Sequence, residues 1–125
     1  MAYYVYVIDL DPAVKKSRRF LDRNAVMLPH GECFYVGQSS PDPDCRYRQH
    51  KECHGDSITF SCICRKKGRL FTKKVSNYFA RKFGRYLARA RYEHLNPLKT
   101  RADAEAMEKK LAEELRADGH GVWWG

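Results

Sequence analysis

The chain has 125 residues and a formal net charge of +9, a length that suits one hydrophobic core rather than two. It holds no run of about 20 apolar residues, which excludes a membrane-spanning helix, and its first residues lack the basic start of a secretion signal. An odd count of 5 cysteines argues against a disulfide framework. We therefore expect a single cytoplasmic domain over residues 1–125, with its thiols reduced.

The first half of the chain predicts two strands and two helices in alternation. Residues 4–10 are rich in Tyr, Val and Ile and predict a strand. An insertion at about 11–32 follows, in which Asp11 and Pro12 predict the start of a basic helix that runs to about Arg23. Residues 33–37 predict a second strand, and a proline-rich turn leads into a helix over residues 44–51. The inward side chains of the first helix are predicted to be Ala13, Val14, Phe20 and Leu21.

The second half of the chain predicts two further helices and a third strand. Residues 57–64 fit either an extended piece or a packed loop, and residues 71–83 predict a helix whose aromatic stripe belongs to the core. Alternation over residues 85–95 predicts a strand with Tyr86 and Tyr92 on one face. Residues 101–118 predict a helix that Thr100 caps and Gly119 ends, and residues 121–124 a short extended segment. The apolar stripe of that helix is predicted to be Ala102, Met107, Leu111 and Leu115.

These elements predict an α/β fold, in which helices flank a small, mostly antiparallel, three-stranded central sheet. The positive charge is concentrated in one segment of the chain: no Asp or Glu occurs in residues 57–92, whereas Lys and Arg recur there. Such a segment attracts polyanions and indicates DNA, or RNA, as the partner, with an ordinary solvated basic face as the alternative. The predicted nucleic-acid-binding residues are Arg48, Lys66, Lys67, Arg69, Lys73 and Lys74.

Four short motifs follow one another along these elements. In the helix motif, Arg46 and His50 are four residues apart and share a face, whereas Arg48 points away from that face. Together the motifs resemble those of the GIY-YIG nuclease superfamily, over roughly residues 4–118. They are Tyr4-Val5-Tyr6, Tyr35-Val36-Gly37, Arg46-Tyr47-Arg48-Gln49-His50 and Ala104-Glu105-Ala106-Met107-Glu108.

The resemblance implies a metal-dependent endonuclease that hydrolyses DNA phosphodiester bonds. It implies that Tyr6 is the general base, with Tyr35 and His50 polarising it or relaying protons around it. Arg46 would present its planar guanidinium to the phosphate oxygens, and Glu108 would bind one Mg²⁺ or Mn²⁺ ion. Close to the ion and to Arg46, a catalytic tyrosine is expected to have its pKa lowered.

Several positions depart from the family pattern. Tyr4 replaces the first Gly, Gln38 stands where a basic residue is often found, and no late Asn is evident near Gly121. A catalytically silent domain of the same fold that binds DNA or RNA is therefore the alternative function. Each of these residues also has a purely structural alternative. The tyrosines could be buried strand residues, and the arginines of the basic helix could be ordinary surface residues. Glu108 could be a solvent-facing acid, and Glu105 is its competitor for the inward position. The sequence leaves the oligomeric state and any protein partner open.

The cysteines offer one weaker alternative, a structural zinc site. Cys53, Cys62 and Cys64, with His50 or His54, supply the right atom types, yet no Cys-x-x-Cys pair is present. The spacing of Cys62 and Cys64 suits a strand with alternating faces, and buried or half-buried thiols are ordinary for Cys. We therefore expect no structural metal there.

Overall fold

A computed structural model describes residues 2–40, 43–52, 59–61, 70–72 and 77–124. Short 3-10 turns occur at Pro12–Lys16, Arg89–Arg91 and Glu93–Leu95. The described helices and strands are, in chain order, β1 (Tyr4–Leu10), α1 (Arg18–Arg23), β2 (Cys33–Ser39), α2 (Pro43–Glu52), β3 (Thr59–Ser61), β4 (Leu70–Thr72), α3 (Tyr78–Phe83), β5 (Gly84–Leu87), α4 (Arg101–Ala117) and β6 (Gly121–Trp124).

The main sheet has four strands in the order β5-β1-β2-β6, with helices packed against it. β1 is antiparallel to β2 and to β5, whereas β6 lies parallel to β2. The predicted α/β class and the mostly antiparallel sheet are thus confirmed, but the prediction of three strands is wrong. The closing segment 121–124 becomes the fourth strand because its backbone groups pair with the free edge of β2. β3 and β4 form a separate antiparallel pair.

The two faces of the sheet are covered by different helices. Tyr35 and Trp123 are neighbours in the register and point to the same face, where the Phe79 ring lies 4.5 Å from Trp123 and 5.9 Å from Phe20. α1 and α3 therefore pack on that face. Trp124 points to the opposite face, where the guanidinium of Arg116 lies over its ring. The buried residues of both faces form one core with the strands.

The predicted helix over residues 12–23 is broken. Asp11 caps the first turn as expected, its side chain accepting a hydrogen bond from Ala13 N at 2.8 Å. The Ser17 hydroxyl then starts α1 as a second cap, because the backbone at Ser17 is extended. Val14 and Phe20 are buried as predicted, whereas Ala13 is exposed and Leu21 is 40% exposed. The prediction that all four point inward is therefore half wrong.

The predicted helix over residues 71–83 is also only partly present. Leu70–Thr72 is a strand, and the helix starts at Tyr78, where Asn77 accepts hydrogen bonds from the backbone of Phe79 and Ala80. Phe79 lies in the core as predicted, but Tyr78 is largely exposed. Gly84 ends the helix as expected. The capping strength of Asn explains the late start, because the aromatic stripe alone does not mark where a helix begins.

The third strand along the predicted order is shorter than its predicted span, residues 85–95. β5 pairs with β1 only as far as Leu87, and a register shift at Asp9 and Leu10 marks an irregularity in this pairing. The chain then continues through two 3-10 turns. Leu87 and Tyr92 are buried, whereas Tyr86 is 53% exposed, so the prediction that Tyr86 and Tyr92 share one face of a strand is wrong.

The last helix matches its prediction closely. Thr100 caps α4 by accepting a hydrogen bond from Asp103 N at 3.0 Å, and Gly119 follows the helix with φ +93°, a conformation that favours glycine. The apolar stripe contains Ala104 in place of the exposed Ala102. None of the helices that the structure describes is long and apolar enough to cross a membrane.

Candidate active site

Two strand tyrosines form the floor of the candidate site. Tyr6 on β1 and Tyr35 on β2 lie on one face of the sheet, with ring centroids 6.2 Å apart, and both are buried. Gly37 is the register partner of Tyr6, and the Tyr6 ring lies directly over it. A Cβ on Gly37 would overlap the Tyr6 hydroxyl and lie 2.6 Å from its Cζ atom. The glycine of the second tripeptide is therefore required for the Tyr6 hydroxyl to occupy this position.

The helix α2 is fixed over the tyrosines by contacts from the side that carries Tyr47 and Lys51. Lys51 Nζ donates to the carbonyl oxygens of Arg81 at 2.9 Å and Gly84 at 2.8 Å. The Tyr47 hydroxyl donates to the carbonyl of Arg85 at 2.9 Å, and Arg89 pairs with Asp44 at the start of the helix. These contacts hold one side of α2 against the end of α3 and β5. The adjacent side, which carries Arg46 and His50, then faces Tyr6.

His50 is fully buried between the tyrosines and the start of α3. Its Nε2 atom lies 2.9 Å from the Tyr6 hydroxyl oxygen, and its ring packs edge-on against Tyr35 with centroids 5.2 Å apart. The backbone N–H of Asn77 donates to the other ring nitrogen, Nδ1, at 2.9 Å. Burial, assisted by the Arg46 cation, lowers the pKa of His50 well below 6.5, so His50 is neutral.

The Tyr6 oxygen is the point on which the neighbouring polar side chains converge. Besides His50, Arg46 forms a side-chain hydrogen bond with Tyr6, and a further hydrogen bond joins the two tyrosine hydroxyls. That bond lowers the pKa of Tyr6 and raises the pKa of Tyr35.

The direction of the Tyr6 pKa differs from the one expected. Burial raises the pKa of Tyr6 above 10.0, and it outweighs the lowering by the Arg46 cation and by the hydrogen bonds from Arg46 and Tyr35. The expectation that the pKa of Tyr6 is lowered therefore does not hold for the protein alone, because a fully enclosed phenolate loses most of its hydration. A further cation beside Tyr6 would act in the same direction as Arg46.

The carboxylate of Glu108 lies on the inward side of α4. Glu108 falls four residues from Ala104 and from Ala112, both fully buried, whereas Glu105 is exposed and pairs with Arg101 at 3.2 Å. Burial, and then the charge of Glu105, raise the pKa of Glu108 from 4.5 to about 7. The Glu108 charge also raises the pKa of both Tyr6 and Tyr35, so its field reaches the tyrosine pair. Of the two competing acids, Glu108 is the one whose charge acts on the tyrosine pair.

The structure brings together Tyr6, Tyr35, Arg46 and His50, and the charge of Glu108, the fifth predicted catalytic residue, acts on both tyrosines. Arg48 lies on α2 and is half-buried. The other predicted nucleic-acid-binding residues, and the cysteines and histidine of the zinc alternative apart from His50, lie outside the described residues. They are Lys66, Lys67, Arg69, Lys73, Lys74, Cys53, Cys62, Cys64 and His54.

Two features of the site were missed by the sequence reasoning. Asn77 supplies a backbone donor to His50, and Lys51 fixes the helix that carries it. An Asn before an aromatic run is a recognised helix-cap signal and would have placed Asn77 at the start of α3. No sequence signal pairs that cap with His50, because the two residues are joined only by packing.

Comparison of the chain with models of known families, with curated proteins and with solved structures finds no match.

Proposed function

We propose that this protein is a metal-dependent endonuclease that hydrolyses DNA phosphodiester bonds, with a site of the GIY-YIG type. One observation carries the proposal: the side chains of Tyr35, Arg46 and His50 converge on the buried Tyr6 oxygen. A strand tyrosine that served packing alone would need one hydrogen-bond partner, not several. The half-buried Glu108 beside this group supplies the remaining requirement, an anionic ligand for a cation.

The residues present fit a hard divalent cation. Among the residues that the structure describes, no three His, Cys, Asp or Glu side chains form a cluster that could hold a metal ion. Mg²⁺ and Mn²⁺ are often bound through one carboxylate, substrate phosphate and water. Glu108 forms no ion pair with any residue that the structure describes, and its pKa of about 7 shows that its charge is incompletely solvated. A bound cation would relieve that cost.

The chain's own residues would divide the reaction between them. The Tyr6 phenolate would take a proton from a water molecule, whose oxygen then forms a bond to phosphorus as the bond to the leaving sugar oxygen breaks. Arg46 would hold the phosphate oxygens and stabilise the charge that develops on them. When bound at Glu108, the metal would supply positive charge beside the phosphate and favour ionisation of Tyr6.

Binding of DNA is proposed to depend on the basic surface rather than on Glu108. Each phosphate that a Lys or Arg side chain neutralises should contribute about −0.9 to the slope of log affinity against log salt concentration. Affinity for a DNA duplex, measured in chelator between low and physiological salt, should therefore fall steeply. An affinity that does not change with salt would remove the charged surface as the main contact.

Cleavage is tested with supercoiled plasmid in Mg²⁺ or Mn²⁺, with and without chelator. Glu108→Gln should abolish metal-dependent cleavage and keep most DNA affinity, because Gln preserves the length of the side chain but not its charge. Arg46→Ala should slow cleavage by about 10²–10³-fold, whereas Arg48→Ala, the matched arginine of the same helix, should cost much less. Plasmid cleavage by Glu108→Gln at the parent rate would refute the proposed site. Salt-sensitive binding without cleavage by the parent would instead favour the catalytically silent alternative.

A further inference from the structure

We infer that the main chain of Asn77 fixes His50 in one tautomer, with the proton on Nε2, so that His50 donates to the Tyr6 oxygen and does not take a proton from it. His50 is then a positioning residue for Tyr6 rather than a proton relay. The inference deepens the proposed function and rests on it only for its effect on cleavage. The tautomer itself is a property of the folded protein.

The direction of the two hydrogen bonds follows from the chemistry of the partners. A backbone N–H can only donate, so the Nδ1 atom that receives it from Asn77 at 2.9 Å must offer a lone pair. A neutral imidazole whose Nδ1 is not protonated carries its one proton on Nε2. The contact of 2.9 Å between Nε2 and the Tyr6 oxygen is therefore a hydrogen bond from His50 to Tyr6.

Protonated His50 does not fit the same surroundings. An imidazolium carries a proton on both nitrogens, which would set the Nδ1 proton against the N–H of Asn77. His50 is also fully enclosed, and the Arg46 cation opposes a second positive charge there. A proton leaving Tyr6 therefore finds no acceptor on His50.

The Asn77 amide is itself held in place by its position at the start of α3. The Asn77 side-chain oxygen accepts from Phe79 N at 2.9 Å and from Ala80 N at 3.2 Å, which fixes the orientation of the first helical turn. The backbone N–H of Asn77 points at the His50 ring, and the ring directs its own N–H at Tyr6. The two hydrogen bonds run in one direction, from the backbone N–H of Asn77 through the His50 ring to the Tyr6 oxygen.

The hydrogen-bond donors around Tyr6 match its ionised form. A neutral phenol oxygen has two lone pairs, whereas a phenolate has a third. Tyr35, Arg46 and His50 together offer donors for all of these positions. His50 would therefore act on the reaction by stabilising the phenolate that accepts the proton from water.

The tautomer is measured directly from the ¹⁵N NMR signals of the His50 ring in metal-free protein at pH 7. We expect one non-protonated nitrogen, Nδ1, and one protonated nitrogen, Nε2. Asn77→Ala loses the cap but keeps the N–H and should keep this pattern, whereas Asn77→Pro lacks the N–H and should give a mixture of tautomers. A proton on Nδ1 in the parent protein, or an unchanged pattern in folded Asn77→Pro, would overturn the inference. If Asn77→Pro does not fold, the parent spectrum decides.

A pair of His50 variants then tests the role in cleavage. Gln has an N–H₂ donor but no group that accepts a proton at neutral pH, and Ala has neither. His50→Ala should slow plasmid cleavage by about 10²-fold, and His50→Gln should recover at least about tenfold of that loss. Equal rates for the two variants would show that donation is not the function of His50. If the parent does not cleave DNA, the proposed function fails while the NMR result still decides the tautomer.

Discussion

Replacing Glu108 by Gln should stabilise the protein in a manner that depends on pH. Burial and the neighbouring Glu105 charge raise the pKa of Glu108 from 4.5 to about 7 in the folded chain. At about 1.4 kcal/mol per pH unit, this difference corresponds to about 3 kcal/mol of destabilisation when Glu108 is ionised. Gln resembles the protonated carboxyl and does not carry this cost.

The sign follows from the proton balance. Between pH 4.5 and about 7 the folded chain holds a proton on Glu108 that the unfolded chain has lost, so the free energy of unfolding falls as pH rises through this range. The full cost is present above about pH 7 and is absent well below 4.5. The stability gain of Glu108→Gln should thus be below about 1 kcal/mol at pH 5 and about 3 kcal/mol at pH 8.

Urea unfolding in chelator at the two pH values measures this difference. Glu113 lies on the exposed side of the same helix, so Glu113→Gln is the matched control and should change stability by less than about 0.5 kcal/mol at both pH values. Titration of His50 and other groups is common to the variants and cancels in the comparison. A gain of the same size at pH 5 and pH 8, or a loss in Glu108→Gln, would refute the assignment of Glu108 as a poorly solvated acid.

Two further changes test the construction of the site and of the sheet. Gly37→Ala should cost about 1–3 kcal/mol of stability because the new methyl group overlaps the Tyr6 ring, and a double-mutant cycle with Tyr6→Ala should show a coupling above about 1 kcal/mol. Additive effects would mean that the ring is not the obstacle. Asn24→Ala should lower the free energy of unfolding by about 1–3 kcal/mol, since the buried Asn24 oxygen accepts from Val122 N at 2.7 Å and its amide donates to the carbonyl of Phe20 at 2.8 Å. A change below about 0.5 kcal/mol in urea unfolding would show that water replaces the side chain.

Local sequence patterns were sufficient for the elements that carry the candidate site. The spacing of Arg46 and His50 set both on one face of α2, and the composition of residues 4–10 and 33–37 predicted the two strands with their tyrosines. The caps at Asp11 and Thr100 lie where their side chains predicted them. These features depend on the helical and strand periods and on contacts between residues close in sequence, which the sequence contains directly.

Packing between distant residues decided the rest. The sequence did not decide whether Glu105 or Glu108 points inward. The burial of Ala104 and Ala112, which lie on the same side of α4 as Glu108, decides it for Glu108. The fourth strand formed because β2 left an edge for residues 121–124, and no local pattern specifies which edge a short segment joins.

The same reason explains the chemistry at the centre of the site. The sequence placed Tyr6 on a strand and His50 on a helix, but the direction of the hydrogen bond between them depends on the Asn77 N–H, which reaches His50 only in the folded chain. The rise in the pKa of Tyr6 is likewise a consequence of its complete burial in the folded chain. Loss of water around an ionisable group depends on everything that surrounds it, so only the tertiary structure could determine it.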